Sequence, residues 1–533
     1  MSRTFNLADL FEIVAAAVPD RLAIIYGTRT LSFAALDQRA TRLANAMLAS
    51  GVKRGDRVGI QLHNSPEYLE SFFACCKIGA APVNVNYRYV AEELDFLLRS
   101  LEVNALIHGS EFSSTVASVA AALPGLVLRL EVGPSTEESR AGSYEAALAE
   151  SSDQLPVQAR SDDDLYIICT GGTTGAPKGV IWPHKSIFMA AMGGGGTYFG
   201  RGPIERPEEL SALVQQGPAL RYFAAAPLMH AAAMWASLIS LFAGHSVVLN
   251  DQQNFDAEHV WDLVSQQRVD ILSIVGDAMA LPLIQALERH AQRWDLLPLR
   301  IVGNGGAVFS LQLQQRLKAL LPHIAINNGM GSSESGHIGA GNKPAEGDGF
   351  MHLPPRPDLA IVGDHGALLR VPGEEGILAR SGYTPIGYYG DPVKSAETFV
   401  RIEGRLWALT GDRARLADDG GFIVLGRGSQ CINTGGEKVF PEEVEEVARH
   451  YAAVHDVLVV GLPDERWGQR VCAVVAVEAG QRFELDEFQR ICRQHLSAYK
   501  VPKQIVLAEK IERSPAGKAD YRWARRHALE ADA

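Results

Sequence analysis

Apolar residues between Leu31 and Val52 recur every three or four positions and stop at Gly51, which predicts a helix with a glycine stop. Residues 57–63 form a short apolar run that reads as a buried strand, followed by a helix over 66–80 and a strand over 81–86. The same strand–helix–strand rhythm returns over 255–275 and 311–330. Repeated units of this kind predict a parallel sheet covered by helices. The most apolar segment, Ala231–Gly244, is too short to span a bilayer and reads as a buried helix.

Beyond Arg427 the pattern changes. An extended piece, a turn and an acidic helix occupy 432–451, two apolar runs cover 454–464 and 470–478, and a basic helix covers 486–498. This is a compact α+β unit of roughly 100 residues. The chain is therefore α/β and divides into a large N-terminal domain, 1–426, and a small C-terminal domain, 427–533. Two or three domains are what a chain of 533 residues requires. The glycine run Gly193–Gly196 reads as a mobile surface loop.

Charge and cysteine usage narrow the function. A net charge of −12 argues against nucleic acid as partner, yet leaves ATP open, since a nucleotide needs only local positive charge. The six cysteines form no CxxC pair and no zinc-ligand spacing, which suits a reducing compartment. The acidic residues in the first twelve positions do not suit an export signal, so a cytoplasmic location is expected, with no transmembrane segment.

The strongest chemical signal is Thr170-Gly171-Gly172-Thr173-Thr174-Gly175-Ala176-Pro177-Lys178-Gly179, between two apolar runs. Glycines allow successive amides to converge on phosphate oxygens. Threonine hydroxyls add neutral donors, and Lys178 adds a point charge. It is not a Walker loop, because Gly179 rather than Ser or Thr follows the lysine. Alone, it equally describes a Gly/Thr-rich hairpin.

Four further segments carry candidate chemistry. In Asn328-Gly329-Met330-Gly331-Ser332-Ser333-Glu334 a carboxylate beside hydroxyls can hold Mg²⁺ through Glu334 while Ser333 faces phosphate; on its own the segment reads as a turn. Asp412 lies fifteen residues before Arg427, and its carboxylate can accept two bonds from vicinal ribose hydroxyls. Gly303-Asn304-Gly305-Gly306-Ala307 sits between an apolar strand and a helix, where α/β sheets present ligands. Lys518 follows a Pro/Gly turn, and its ammonium could stabilise charge on a phosphoryl group under attack.

These ordered motifs, covering nearly the whole chain, resemble the adenylate-forming superfamily: acyl-CoA and aryl-CoA ligases, luciferases and peptide-synthetase adenylation domains. Three departures stand out: Gly171-Gly172 for Ser-Gly, Met330 for an aromatic residue, and Ser333 for threonine. The resemblance implies an acyl-CoA synthetase that uses ATP, Mg²⁺ and coenzyme A on a small-molecule carboxylic acid. It implies Lys518 as catalytic lysine, Glu334 as metal ligand, and Gly305, Gly306 and Ala307 lining adenine and the acyl pocket. His230, in Ala226-Pro227-Leu228-Met229-His230, takes the position of the residue near the carboxylate, while its apolar setting equally suits a core histidine. The small domain is implied to be mobile, with Ser429 at the hinge and Gly435, Gly436 and Lys438 lining the pantetheine tunnel.

Small residues around the expected acyl pocket (Gly303, Gly305, Gly306, Ala231, Ala232, Ala233), with Trp235 nearby, favour a bulky or long acid over acetate. Residues 193–210, 274–284 and 431–446 resemble bacterial synthetases that activate steroid side chains. Three alternatives stay open: a medium- or long-chain fatty acyl-CoA synthetase, an adenylation enzyme that loads a separate carrier protein, and a non-enzymatic ATP-binding protein. A homodimer stays open as the assembly.

Overall fold

The computed structural model describes residues 3–134, 141–171, 177–290, 292–306, 309, 311–340, 351–363, 365–427, 432–439, 441–512 and 520–532. The large unit is built on two eight-stranded sheets. In the first, the parallel strands Ala325–Ser332, Ile301–Asn304, Ile271–Ile274, Arg221–Ala224, Ser246–Leu249 and Leu22–Tyr26 lie side by side in that order. Antiparallel strands Gly336–Ala340 and Arg29–Ser32 close its edges. In the second, parallel strands around Arg57–Gln61 and Ala81–Asn84 meet the antiparallel hairpin Leu165–Gly171 and Pro177–Pro183.

The alternation of strand side chains divides the core into layers. Ile24, Tyr222, Val247 and Ile271 face helices Leu7–Ala17, Phe33–Ala49, Pro66–Ile78 and Ala231–Phe242, which also cover Ile60, Ile107 and Ile168 of the second sheet. Their sequence neighbours Ile25, Phe223, Val248 and Leu272 pack on the opposite face with the helices that carry Trp261, Ile284 and Leu317. The predicted helix after Leu31 runs over Phe33–Ala49, with the Ser32 hydroxyl accepting from the Ala35 amide. Gly79 ends the next helix in the left-handed region that glycine enters without strain. Ala231–Phe242 is a buried helix, as its composition predicted, and among the described residues no helix is long and apolar enough to cross a membrane.

Two features depart from the sequence reading. A third, seven-stranded antiparallel sheet, drawn from residues 351–427, follows the two parallel-rich ones. The run Gly193–Gly196, expected as a mobile surface loop, is instead a packed turn. A Cβ on Gly196 would lie 2.2 Å from the Gly202 carbonyl oxygen and one on Gly193 2.0 Å from the Thr197 hydroxyl. Glycine is used there for close approach, not for flexibility.

The C-terminal unit is a five-stranded sheet with helices on both faces. Helices Pro441–Ala448 and Leu485–His495 bury Val444 and Phe488 on one side, and Tyr521–Glu530 buries Ala524 and Ala528 on the other. The five described cysteines are free thiols. Burial pushes Cys472 and Cys492 up to about 12, and Cys75, Cys76 and Cys169 higher still.

His184 anchors the N-terminal helix. Its Nδ1 accepts from the Leu7 amide at 3.2 Å, and its Nε2 lies 3.9 Å from the Cys76 sulfur. Burial lowers its pKa to about 3, and His337 is held to about 4 by burial and by Arg356 and Arg380. Protons taken up by these imidazoles only on unfolding make stability complete above 6.5 and progressively lost as pH falls below it. We expect the melting temperature to drop steadily between pH 6.5 and about 4. In His184→Asn, which keeps an acceptor for Leu7 but cannot titrate, that slope should be shallower, as measured by calorimetry across pH.

Candidate active site

The parallel strands of the first sheet end at one cavity of about 1200 Å³. Crevices at the C-terminal ends of parallel strands are where open α/β sheets bind ligands. Val275 and Gly305, just beyond strand ends, and Gly329, where Ala325–Ser332 passes from its parallel to its antiparallel partner, line its mouth. One chain of buried amides holds these ends together. Asn304 Oδ1 accepts from the Gly276 amide at 2.7 Å, and its Nδ2 donates to Asn328 Oδ1 at 3.1 Å. Asn328 Nδ2 in turn donates to Gln314 Oε1 at 3.3 Å. Asn328 therefore ties strands to helices and does not line the cavity.

Thr170, Gly171 and Lys178 sit at the adjoining ends of two antiparallel strands. Thr170 lies opposite Lys178, and Gly171 opposite Pro177. Thr170 lines the cavity. Lys178 Nζ sits 3.6 Å from Asp391 and 5.7 Å from the centre of the Tyr388 ring. The Tyr388 hydroxyl donates to Glu334 Oε1 at 3.1 Å. Burial and Glu334 both raise the Tyr388 phenol, which keeps it a donor. A cation and a carboxylate are thus held on either side of one phenol.

Glu334 follows a strand, not the turn expected for the whole segment: Ala325–Ser332 is extended, and the chain turns only at 333–335. The Trp182 indole fixes that turn by donating to the Ser333 carbonyl at 2.7 Å. Gly329, Met330, Gly331 and Ser333 line the cavity, as do Gly305 and Gly306. Among the described residues no three His, Cys, Asp or Glu side chains gather as a metal site. Glu334 has one carboxylate oxygen beyond the Tyr388 bond, so it fits a hard ion that takes most of its oxygens from a nucleotide. Asp412 pairs with Arg427 across adjacent strands, its amide donating to the Thr410 hydroxyl at 3.0 Å, and it lies outside the cavity lining. Gly172, Thr173, Thr174, Gly175, Ala307, Ser429 and Lys518 lie outside the described residues, as do the side chains of Asp277, Arg427 and Lys438.

The C-terminal unit supplies one wall. The turn Gly435–Gly436 enters between the two units with φ of 58° and 84°. A Cβ on Gly436 would lie 2.5 Å from Val275, and one on Gly435 2.6 Å from the Trp467 ring. Next to it, Glu437 accepts from His230 Nε2 at 2.9 Å and pairs with Arg88. Burial would raise the Glu437 carboxyl, but His230 and Arg88 outweigh it and hold the group below the usual range. His230 is thus neither a core histidine nor isolated; it meets the small unit across the cavity.

A second contact between units lies in the same wall, where Glu443 and Lys500 also line the cavity. Glu93 Oε2 accepts from the Ser497 hydroxyl at 2.6 Å, and its Oε1 pairs with Lys500 at 2.9 Å. Lys500 also reaches Glu443 at 2.5 Å, whose carboxyl burial pushes up to about 6. Sequence reading did not single out Arg88, Glu93, Tyr388, Trp467 or Lys500. The aromatic flanks of Arg88 and Lys500, Tyr87/Tyr89 and Tyr499, were the available signal, since buried cations often lie beside rings.

Comparison with known proteins agrees with this architecture. Residues 11–389 match the AMP-binding enzyme family, and residues 443–518 match the AMP-binding enzyme C-terminal domain. The 3-oxocholest-4-en-26-oate–CoA ligase of Rhodococcus rhodochrous is 40% identical over 98% of this chain and 95% of its own. The medium/long-chain-fatty-acid–CoA/3-oxocholest-4-en-26-oate–CoA ligase of Mycobacterium marinum is 38% identical over 98% and 97%. Among solved structures, the amide bond synthetase McbA from Marinactinospora thermotolerans superposes with a TM-score of 0.81 at 22% identity, over 97% of this chain and 99% of that one. A Mycobacterium tuberculosis fatty acyl CoA synthetase gives 0.66 at 25%, over 99% of each. The chain belongs to the AMP-binding enzyme family, and within it to the AMP-forming acyl-CoA synthetases, acid–thiol ligases that use ATP, Mg²⁺ and coenzyme A.

The Glu93 contact generates a test. In Glu93→Ala, Lys500 loses one of its two carboxylates and Ser497 its acceptor. Transfer of a preformed acyl-adenylate to coenzyme A should slow by about tenfold, because breaking a buried pair is costly. Single-turnover pyrophosphate release should stay within about twofold, and rapid-quench measurement of both steps on one preparation checks the split.

Proposed function

We propose that this ligase activates a bulky, ring-bearing carboxylic acid of the steroid side-chain type. The observation that carries the reading is the shape of the cavity between helix Ala231–Phe242 and the first sheet. The helix turns Ala232, Ala236 and Ile239 toward the cavity, spaced four and three residues apart on one face. Opposite them is Gly303, where an added Cβ would find only the Leu272 carbonyl oxygen, at 3.9 Å. Small residues on both walls leave a wide slot, as a rigid multi-ring acid needs. Straight-chain acids are the second reading, supported by the Mycobacterium marinum relative, whose name joins both substrate types.

In the proposed cycle the acid carboxylate attacks the α-phosphorus of ATP, pyrophosphate leaves, and the thiol of coenzyme A then displaces AMP from the acyl carbonyl. The hairpin from Thr170 through Gly171–Gly175 to Lys178 would cradle the phosphates. Glu334 and the nucleotide oxygens would hold Mg²⁺, which neutralises phosphate charge. Met330 and Gly305–Ala307 would enclose adenine, Asp412 and Arg427 the ribose, and Lys518 would stabilise charge developing on the phosphates.

The described pose, with Gly435, Gly436 and Glu437 in the cavity wall and Lys438 on the strand that follows the turn, suits the thiol step. The unit 427–533 would rotate about Ser429 for the first step. Free thiols support a reducing, cytoplasmic setting.

Pyrophosphate release with MgATP should be measured across short, medium and long fatty acids, aryl acids and steroid side-chain acids, with and without coenzyme A. Coenzyme-A-dependent turnover of steroid acids with little of palmitate is expected. A straight-chain preference would discard the ring reading, and turnover indifferent to coenzyme A would point to a carrier-loading enzyme. Lys518→Ala should slow adenylate formation by on the order of 10²-fold and thioester formation from preformed adenylate far less.

A further inference from the structure

The floor of the acyl slot is built in register rows across the sheet. Gly305 and Gly329 form the row at the mouth, beside the nucleotide end. Two residues earlier along the strands, Ser273 pairs with Gly303 and Gly303 with Asn327. Two residues earlier again come Tyr222, Ile271 and Ile301. Alternation puts all three rows on one face, and Ser273, Asn327, Tyr222, Ile271 and Ile301 all line the cavity.

The middle row is out of keeping with an apolar pocket. Ser273 and Asn327 flank Gly303, so two polar side chains stand on either side of an open gap. Asn327 is exposed within the cavity, whereas its neighbour Asn328 turns to the opposite face and is fully engaged there. One row deeper, Tyr222 is 2% exposed, and its buried hydroxyl leans on the Ser273 side chain. A hydrocarbon seated here would leave the Asn327 amide dry and unpaired, which disfavours it. A hydroxyl or ketone oxygen over Gly303 would instead meet the Asn327 amide and the Ser273 hydroxyl, which Tyr222 backs from below.

We propose that Tyr222, Ser273 and Asn327 form a hydrogen-bonding band that selects acids bearing an oxygen substituent at the level of the Gly303 row, about 7 Å (two strand residues) below the mouth row. The inference rests on the acyl slot proposed above and names a chemical feature of its substrate. It does not require that the oxygen sit on a ring.

The test uses matched acids that differ only in one hydroxyl or ketone at that depth, one pair on a ring skeleton and one on a straight chain. Wild-type kcat/KM should favour the oxygenated member of whichever pair reacts by at least about tenfold, since sites built to bond an oxygen reject analogues lacking it. N327L should erase that preference by losing the oxygenated acid while keeping the plain one, which also shows that the variant is folded. S273A and Y222F should weaken it partially. Equal kcat/KM for both members in the wild type, or a preference that survives all three substitutions, overturns the band. If only the straight-chain pair reacts and is discriminated, the band stands and the ring-acid reading falls. If ring acids react without discrimination, the reverse holds.

Discussion

The side-chain amide of Asn304 is the joint on which the site depends. Parallel strands end with backbone groups that the sheet no longer pairs, and glycines beyond those ends have no side chains to hold them. Asn304 meets this by accepting from Gly276 at the start of one helix and donating to Asn328 on the next strand. Gln314 extends the chain of amides to a second helix. Buried networks in which every member is satisfied hold a single geometry. Here that geometry places Gly305, Gly306 and Gly329 along the cavity wall, where they contribute backbone alone. Loss of the amide would remove the acceptor of the Gly276 N–H and the donor to Asn328 Oδ1 at once.

The small unit meets this wall through a turn that tolerates no side chain. Gly435 and Gly436 are wedged between Trp467 of their own unit and Val275 of the other, and both have positive φ. Space and backbone conformation therefore demand glycine independently. Charge completes the fit, with Glu437 facing His230 and Arg88, and Lys500 between Glu93 and Glu443. The contact is polar and local, unlike the apolar core inside each unit. Interfaces of that kind allow one domain to move on another.

Much of this was legible in the sequence because it is written in short-range patterns. The helix over Phe33–Ala49 and the strand–helix–strand rhythm follow from periodicity and glycine stops. The glycine- and hydroxyl-rich segments were found because their composition departs from core and surface alike. The antiparallel sheet of 351–427 was missed, since its strands, including the twelve-residue Arg405–Leu416, alternate too weakly to stand out from loops. Gly193–Gly196 misled for a different reason: glycine permits both mobility and close packing, and only its neighbours decide. The partners of His230, Glu334 and Lys178 are distant in sequence. Glu437 is 207 residues from His230, and no local pattern encodes that meeting.

The buried cysteines have a practical consequence for anyone handling this enzyme. Its reaction consumes a thiol, and the simplest way to follow that is a chromogenic disulfide that reports remaining free thiol. Such reagents react with thiolates, and the five described cysteines are held protonated by burial, most of them inside cores. Coenzyme A, in open solution, carries the reactive sulfur. As far as these five thiols are concerned, depletion of its signal can be read in the presence of folded protein, and a slow release of colour from them gauges unfolding in the same cuvette.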